Sequence, residues 1–444
     1  MFEPETGSEM IEVVHSEHLN GPNGGANQSR PSRQTGASWV SLQGHRGWLQ
    51  AETERLVQFS VGSVHPNGGF AWLDGRGQAE LDRPVETWIT TRMTHVLSLG
   101  ALLGIPGCGP LIDHGITALQ TVLADEINGG WYSASDQPNQ GEKRAYEQAF
   151  VILAASSATL ANRKGADDLL EVANRVVLER FWDDDRGVVN DVASRDWTER
   201  EPYGGANANM HMLEAFLAAS DVTGDSVWLE RGLRIASFFI DIGARARNWR
   251  IPEHFDACWN ELPEYNREDP AHKFRPYGST VGHGFEWSRL CLHLQASLDA
   301  AGLSCESSAW LPEAARAMFE RAASDGWQGQ GFLYTTDWEG KPVVEDRLHW
   351  VVCEAIAAAG ALHRATGNVD DENRYRQWWD LAERSFIDRS GGSWWAQLDG
   401  ANHPSTSVWS GKPDTYHAVQ ATLLPRLPLA PSLASAVARG LLDT

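Results

Sequence analysis

Cysteine is scarce in this sequence of 444 residues and follows no pattern. The five cysteines are Cys108, Cys258, Cys291, Cys305 and Cys353. Their number is odd and no two are spaced as C-x-x-C, so neither a disulfide framework nor a zinc site is indicated. Scattered free thiols are typical of a reducing compartment, and we therefore expect a cytoplasmic protein.

Long apolar runs and an excess of positive charge are missing as well. No stretch approaches the roughly 18 consecutive apolar residues of a spanning helix, and the N-terminus lacks a basic segment followed by an apolar one. The chain has 37 Lys plus Arg against 59 Asp plus Glu, a formal net charge of −22. An acidic surface repels phosphate backbones and anionic lipid headgroups, so we expect neither nucleic acid nor a membrane as a partner.

The chain divides into a tail and one repetitive domain. Residues 1–38 are rich in Gly, Asn, Ser and Pro without apolar periodicity, which predicts a flexible tail, and residues 39–444 are predicted to form a single domain. A turn that combines glycine with an aromatic residue recurs there. Its clearest copies end at Phe70, Trp131, Phe332 and Trp394, with weaker copies at Gly187 and Phe255. Six repeated units result.

Two sets of helices alternate along these units. Ala-rich stretches of helical period, apolar on most faces, are predicted at 84–99, 143–155, 207–220, 282–295, 347–361 and 414–424. Amphipathic stretches with a charged face are predicted at 46–61, 111–124, 166–178, 227–242, 312–324 and 372–386. The pattern predicts an all-α (α/α)6 barrel, a toroid of six inner helices ringed by six outer ones, with short β-hairpin loops at one mouth. An open α-solenoid is the alternative.

Bulky polar and aromatic side chains recur near the starts of the predicted inner helices. They are Trp88, Arg92, Tyr146, Glu147, Asn207, His211, Glu214, His283, Glu286, His349, Trp350, Glu354 and His417. In a toroid these starts surround one mouth, where the helix dipoles favour negative charge. Recurrence at equivalent places indicates a pocket suited to a sugar.

Each residue taken alone also has an ordinary explanation. His283 and Glu286 have the spacing of a helix capping box, and Arg92 could pair with Glu86. A metal site made by His283 and Glu286 together with His211 or His254 is a further alternative.

Five segments resemble a known family, the N-acylglucosamine 2-epimerase superfamily, and within it the branch of mannose and sulfoquinovose isomerases. They are Trp88-Ile89-Thr90-Thr91-Arg92-Met93, Asn207-Ala208-Asn209-Met210-His211, Glu253-His254-Phe255, the segment from Gly282 to Leu290, and the segment from Gly411 to His417. The resemblance runs from about Trp39 to the C-terminus. It implies an (α/α)6 barrel and a sugar isomerisation or C2 epimerisation through an enediol, with two histidines as acid and base and without a metal or cofactor.

The resemblance also implies roles for individual residues. His283 and His417 correspond to the catalytic pair. Substrate-binding positions correspond to Trp88, Arg92, Tyr146, Asn207, His211 and Glu286, while Trp350 and Arg275 match the family pattern less closely. Imidazole, with an ordinary pKa of about 6.5, suits proton transfer at neutral pH.

The two histidines are expected to differ in role. Lys412 and the helix dipole favour a neutral His417, which we therefore predict to be the base. Glu286, one turn from His283, favours an imidazolium there, so His283 is predicted to be the acid that assists ring opening.

The leading hypothesis is an aldose-ketose isomerase that interconverts D-mannose and D-fructose, or D-lyxose and D-xylulose, as free monosaccharides. A 2-epimerase and a sulfoquinovose isomerase are alternatives, the latter with Arg275 and Lys412 as candidate partners of the sulfonate. A glycoside hydrolase would need two carboxylates roughly 5 to 9.5 Å apart. A sugar-binding toroid without activity is the last alternative, and the oligomeric state stays open.

Overall fold

The computed structural model of this chain describes residues 37–137 and 141–444. The predicted tail, residues 1–38, lies outside the described residues except for its last two. The first described residues contact the domain: the Ser38 hydroxyl donates to the Glu372 carboxylate at 2.7 Å. Within the described ranges no helix is both long and apolar enough to cross a membrane.

Six buried helices form the inner ring. They are α2 (Thr87–Leu102), α4 (Ala145–Leu160), α6 (Ala206–Thr223), α8 (Val281–Ala301), α10 (His349–Thr366) and α12 (Tyr416–Leu423). Small side chains such as Ala355, Ala358 and Ala359 are fully buried in α10, which lets neighbouring helices approach closely. The predicted inner helices are confirmed, with boundaries that move by a few residues.

Six amphipathic helices surround this ring. They are α1 (Gln43–Ser60), α3 (Cys108–Gln120), α5 (Ala166–Val176), α7 (Val227–Ala236), α9 (Leu311–Gly326) and α11 (Val369–Leu381). Helix α3 begins three residues before its predicted start, since Pro110 is tolerated in the first turn, where its missing N–H has no helical partner to lose. Three outer helices continue into π-helical turns at Val177–Phe181, Ser237–Ala244 and Ala382–Phe386.

The ring of inner helices is closed. Each inner helix packs against the next, and α12 packs against α10 on one side and against α1 and α2 on the other. The (α/α)6 toroid is therefore confirmed and the open solenoid is excluded. A final short helix, α13 (Leu433–Ala438), packs on α2, α4 and α6. The N–H of Ser432 donates to Asp221 near the end of α6 at 2.6 Å, so this segment covers the end of the barrel opposite the mouth.

Short strands mark the loops at the mouth. In chain order they are β1 (Lys143–Arg144), β2 (Trp182–Asp183), β3 (Val188–Val189), β4 (Val192–Ala193), β5 (Tyr203–Gly205), β6 (His254–Asp256), β7 (Ser279–Thr280), β8 (Thr335–Thr336), β9 (Pro342–Val344), β10 (Arg347–Leu348) and β11 (Gln397–Leu398). All pairs are antiparallel: β1 with β4, β2 with β3, β5 with β6, β7 with β8, β8 with β9, and β10 with β11. Strands β1, β5, β7 and β10 end where an inner helix begins, and they fix the helix starts at one mouth.

The recurring turns are small hairpins. Antiparallel bridges join Val64 to Phe70, Ala124 to Trp131, Trp327 to Phe332 and Ile387 to Trp394. The aromatic residue of each turn is buried, so it anchors the loop in the core beneath it.

Helices α2 and α3 approach each other at Gly115. A Cβ atom there would lie 2.1 Å from the Thr94 Oγ1 atom and 3.1 Å from the Phe70 ring. We expect Gly115→Ala to lower the free energy of unfolding by about 1–3 kcal/mol, because a buried Thr branched at Cβ cannot move aside. Gly47→Ala is the control: its Cβ meets nothing within 4 Å on α1, and it should gain about 0.5–1 kcal/mol. Urea unfolding measures both, and equal stability of the two variants would contradict this packing.

Candidate active site

The first turns of all six inner helices line one pocket at the mouth. Ten residues were predicted to have a catalytic or substrate-binding role, and nine of them are among its walls: Trp88, Arg92, Tyr146, Asn207, His211, His283, Glu286, Trp350 and His417. The toroid thus brings together side chains that lie more than 300 residues apart in the chain.

Arg275 is the predicted residue that does not line this pocket. It lies in a wider vestibule of about 1160 Å³, which shares Trp88 and Tyr146 with the pocket. Its guanidinium donates to both carboxylate oxygens of Glu201 at 2.7 Å and lies 3.6 Å from Asp191. Two carboxylates therefore already balance its charge.

His283 is held by a carboxylate that its own helix does not supply. Its Nδ1 atom lies 3.0 and 2.9 Å from the two carboxylate oxygens of Glu253, next to β6. A carboxylate only accepts, so Nδ1 carries the proton. Within residues 37–137 and 141–444 the Nε2 atom has no hydrogen-bond partner. The expected pairing with Glu286 is wrong, because that carboxylate lies 3.3 Å from Arg289 instead.

His417 has the same kind of anchor. Its Nδ1 atom lies 3.0 Å from the Glu354 carboxylate on α10. Burial lowers the pKa of His417 and Glu354 only partly opposes this, so the imidazole is neutral at pH 7. The expected influence of Lys412 is wrong, since its ammonium is buried in an ion pair with Asp388 at 2.6 Å.

Trp350 forms the wall between the two histidines. Its ring centroid lies 5.4 Å from that of His283 and 5.8 Å from that of His417. The ring fits there because position 282 is a glycine: a Cβ atom on Gly282 would lie 2.1 Å from the indole. A flat aromatic face between two imidazoles is suited to the C–H face of a sugar.

Arg92 holds two other pocket residues. One guanidinium nitrogen lies 3.1 Å from the Asp414 carboxylate, and the other donates to the Tyr146 hydroxyl at 2.7 Å. Burial would raise the pKa of Asp414, but Arg92 together with His417, His349 and the N–H of Tyr416 holds that pKa below its ordinary value. The pairing of Arg92 with Glu86 is wrong, because Glu86 accepts from the Trp88 indole at 2.5 Å.

Three side chains at the pocket wall or next to it are close enough to one another to hold a cation. The ligand atoms of His211, Glu214 and Glu286 lie within 4.8 Å of one another. The guanidinium of Arg289 already supplies positive charge there, 3.3 Å from Glu286 and 3.5 Å from Glu214. His254 is not part of this group, because both of its ring nitrogens are hydrogen-bonded elsewhere. The cluster therefore favours no additional cation.

The pocket roof was not predicted. It comes from the long connection between β6 and β7, where Lys273 and Phe274 face the pocket. The Phe274 ring packs against Trp409 at 5.5 Å and Tyr146 at 5.6 Å. This connection has neither helix nor strand between β6 and β7, so no periodic pattern could reveal it. Glu253 lies in one of the segments that carry the family resemblance, but no spacing in the sequence indicates its contact with His283.

Fold and site together define an (α/α)6 protein with a pocket for a small polar ligand. Residues 68–421 match the model of the N-acylglucosamine 2-epimerase (GlcNAc 2-epimerase) family, and the chain belongs to this family.

Named relatives cover nearly the whole domain. A D-mannose isomerase of Thermobifida fusca is 49% identical over 407 residues, which is 90% of this chain and 98% of that protein. A D-mannose isomerase of Pseudomonas cannabina pv. alisalensis is 48% identical over 91% of this chain and 98% of its own length. A crystal structure of a D-mannose isomerase superposes with a TM-score of 0.78 at 27% identity and covers 89% of this chain and 98% of that one.

We expect removal of divalent ions to leave activity on a free aldose unchanged. Among the described residues one cluster, His211, Glu214 and Glu286, resembles a cation site, and Arg289 already compensates its carboxylates. The measurement is turnover before and after dialysis against EDTA, followed by addition of Mg²⁺, Mn²⁺, Co²⁺ or Zn²⁺. Activity that disappears on dialysis and returns with one of these ions would contradict the expectation.

Proposed function

We propose that this protein is an aldose-ketose isomerase that interconverts D-mannose and D-fructose as free monosaccharides. The observation that carries the proposal is the pair of histidines, each held at Nδ1 by a buried carboxylate at the wall of one pocket. The 49% identity to a D-mannose isomerase supports the choice of sugar. D-Lyxose is mannose without C6, so D-lyxose and D-xylulose are a second expected pair.

The reaction needs a base and a site that tolerates negative charge. A base removes the proton from C2 while the aldehyde oxygen gains one, which forms an enediol. A proton then returns to C1 as the O2 hydroxyl loses its own, and C2 becomes the ketone. No electron or atom is gained or lost overall. Because a C–H next to an aldehyde is a weak acid, a neutral imidazole and stabilisation of the enediolate are both required.

His417 is the proposed base and His283 the proposed acid in ring opening. Burial keeps His417 neutral at pH 7, so its Nε2 lone pair is available for the proton on C2. Both oxygens of Glu253 hold the His283 ring at Nδ1, which leaves Nε2 for proton transfer during ring opening. The assignment matches the one expected from sequence, but its causes are burial and Glu253 instead of Lys412 and Glu286.

The remaining pocket residues are proposed to bind the sugar. Arg92 orients the Tyr146 hydroxyl, and its charge adds to the field of the helix N-termini where the enediolate forms. Trp88 and Trp350 offer flat faces, while Asn207, His211 and Glu286 offer polar atoms to the hydroxyl groups.

A sulfonated sugar has weaker support. Of its two candidate partners, Arg275 is neutralised in the vestibule and Lys412 is buried against Asp388. A sulfonate in the pocket would have to be met by Lys273 at the roof.

Glycoside hydrolysis also has weaker support. The carboxylates that line the pocket are already engaged, Asp414 by Arg92 and Glu286 by Arg289. A glycosidase would instead need two carboxyl groups free to act as its nucleophile and its acid.

We also propose a cytoplasmic location, and partners limited to small sugars. The scattered cysteines and the net charge of −22 support both.

Proton NMR of D-mannose in deuterium oxide tests the proposed function. We expect D-fructose to form and deuterium from the solvent to enter at C1, because the proton on the base exchanges with water. Formation of D-glucose without D-fructose would make the protein a 2-epimerase. Binding without any conversion would make it a sugar-binding toroid.

Replacing each histidine by asparagine tests the division of labour. We expect both variants to lose about 10²- to 10⁴-fold in turnover. His417→Asn should also abolish deuterium exchange at C1 and C2, whereas His283→Asn should retain slow exchange, since some open-chain sugar always exists in solution. His363→Asn, on the last turn of α10 away from the pocket, is the control with unchanged turnover. The opposite exchange pattern would reverse the two roles.

A further inference from the structure

A single buried arginine lies beneath the pocket without lining it. Arg289 is on α8, six residues after His283, and is 2% exposed. Its guanidinium contacts four side chains, one from each of four inner helices: Glu214 on α6 at 3.5 Å, Glu286 on α8 at 3.3 Å, Glu354 on α10 at 2.5 Å and Gln420 on α12 at 3.2 Å.

The contact with Glu354 is the shortest of the four. The Nε atom of Arg289 donates to one carboxylate oxygen at 2.5 Å and Nη2 donates to the other at 3.3 Å. A planar guanidinium fork fixes a carboxylate in both position and rotation, which an ammonium does not do. Burial would raise the pKa of Glu354, but Arg289 and His417 together hold that pKa below its ordinary value, so the carboxylate is ionised.

The oxygen of Glu354 that receives Nη2 is also the one that accepts from His417. An ionised carboxylate can only accept, so its partner nitrogen, Nδ1, must carry the hydrogen. The Nε2 atom of a neutral His417 is then the one with a free lone pair. The orientation of Glu354 therefore decides which nitrogen of His417 can act as a base.

Two other contacts of Arg289, with Gln420 and Glu214, affect α12, the helix that carries His417. Gln420 lies one turn after His417, and its amide donates to Glu214 at 3.0 Å. The hydroxyl of Tyr416, the residue before His417, donates to Glu214 as well. Glu214 and Arg289 thus hold α12 on both sides of His417.

We propose that Arg289 is a positioning residue of this site: it fixes the Glu354 carboxylate and the first turn of α12 so that His417 presents an unprotonated Nε2 to the substrate. The inference rests on the proposed function of His417 as a base. Arg289 does not itself line the pocket, and it acts only through other side chains.

Arg289→Lys tests this role, because it keeps the buried positive charge but loses the fork. We expect kcat to fall about tenfold to a hundredfold, as when a group that orients a reacting side chain is removed. KM should stay within about twofold of the wild-type value, since Arg289 does not contact the sugar. Arg250→Lys is the matched control: Arg250 is 8% exposed, is paired with Asp325 at 2.7 Å and does not line the pocket, so the kcat of this variant should be unchanged.

A double-mutant cycle separates positioning from general destabilisation. Glu354→Gln alone should lower kcat, and adding Arg289→Lys should then cost nothing further, because the two residues act through one contact. If Arg289→Lys does not fold, a double variant that combines Arg289→Gln with Glu214→Gln can be used instead. It removes one positive and one negative charge together, and we expect the same loss of kcat.

Nitrogen-15 NMR of histidine-labelled protein gives a readout independent of turnover. The wild type should show His417 protonated at Nδ1, with the signal assigned by its absence in His417→Asn, and Arg289→Lys should show a mixture of tautomers. Wild-type kcat in Arg289→Lys, additive losses in the double variant, or an unchanged tautomer would overturn the positioning role. Absence of isomerisation by the wild type would instead overturn the proposed function.

Discussion

Closure of the inner ring is the constraint on which the site depends. Because α12 packs against α2 as well as α10, the six inner helices have no free edge, and their N-termini all meet at one mouth. Each helix can therefore add a side chain to the same pocket from its first turns. The short strands β1, β5, β7 and β10 enforce this, since each ends where an inner helix starts. Six positive dipole ends at one place also make the mouth favourable for negative charge.

The same closure buries charged groups, and buried charges must be paired. Each buried carboxylate here has a partner from a separate element: Asp414 pairs with the Arg92 guanidinium, while Glu253 and Glu354 accept hydrogen bonds from His283 and His417. Removing one partner from such a pair typically costs about 3–5 kcal/mol, because the other charge remains without compensation. The contacts that orient the reacting groups are thus also contacts that hold the ring together at its mouth.

Much of the fold and site could be predicted because the signals are local. Helical periodicity repeats within about ten residues, and the pocket residues fall at equivalent places near each helix start, so recurrence alone identified Trp88, His211 and His417. The partners of these residues could not be predicted. His283 and Glu253 are 30 residues apart, and His417 and Glu354 are 63 apart, with no pattern linking them.

Local spacing was misleading where a distant partner was available. Glu286 has the spacing of a contact with His283, yet the His283 ring pairs with Glu253, which offers both oxygens from a neighbouring loop. Lys412 is near His417 in sequence, yet the turn between them directs its ammonium to Asp388. Closeness in sequence therefore predicted neither the partner of His283 nor that of Lys412.

The two histidines have the same anchor but not the same electrostatics. Glu253 turns both oxygens toward His283, whereas Glu354 gives His417 one oxygen and shares its charge with Arg289. A carboxylate already neutralised by a guanidinium stabilises an imidazolium less than a carboxylate that faces the ring alone. Burial lowers the pKa of His417, and Glu354 only partly opposes this effect. Sharing of the anchoring carboxylate with a guanidinium thus distinguishes the surroundings of His417 from those of His283.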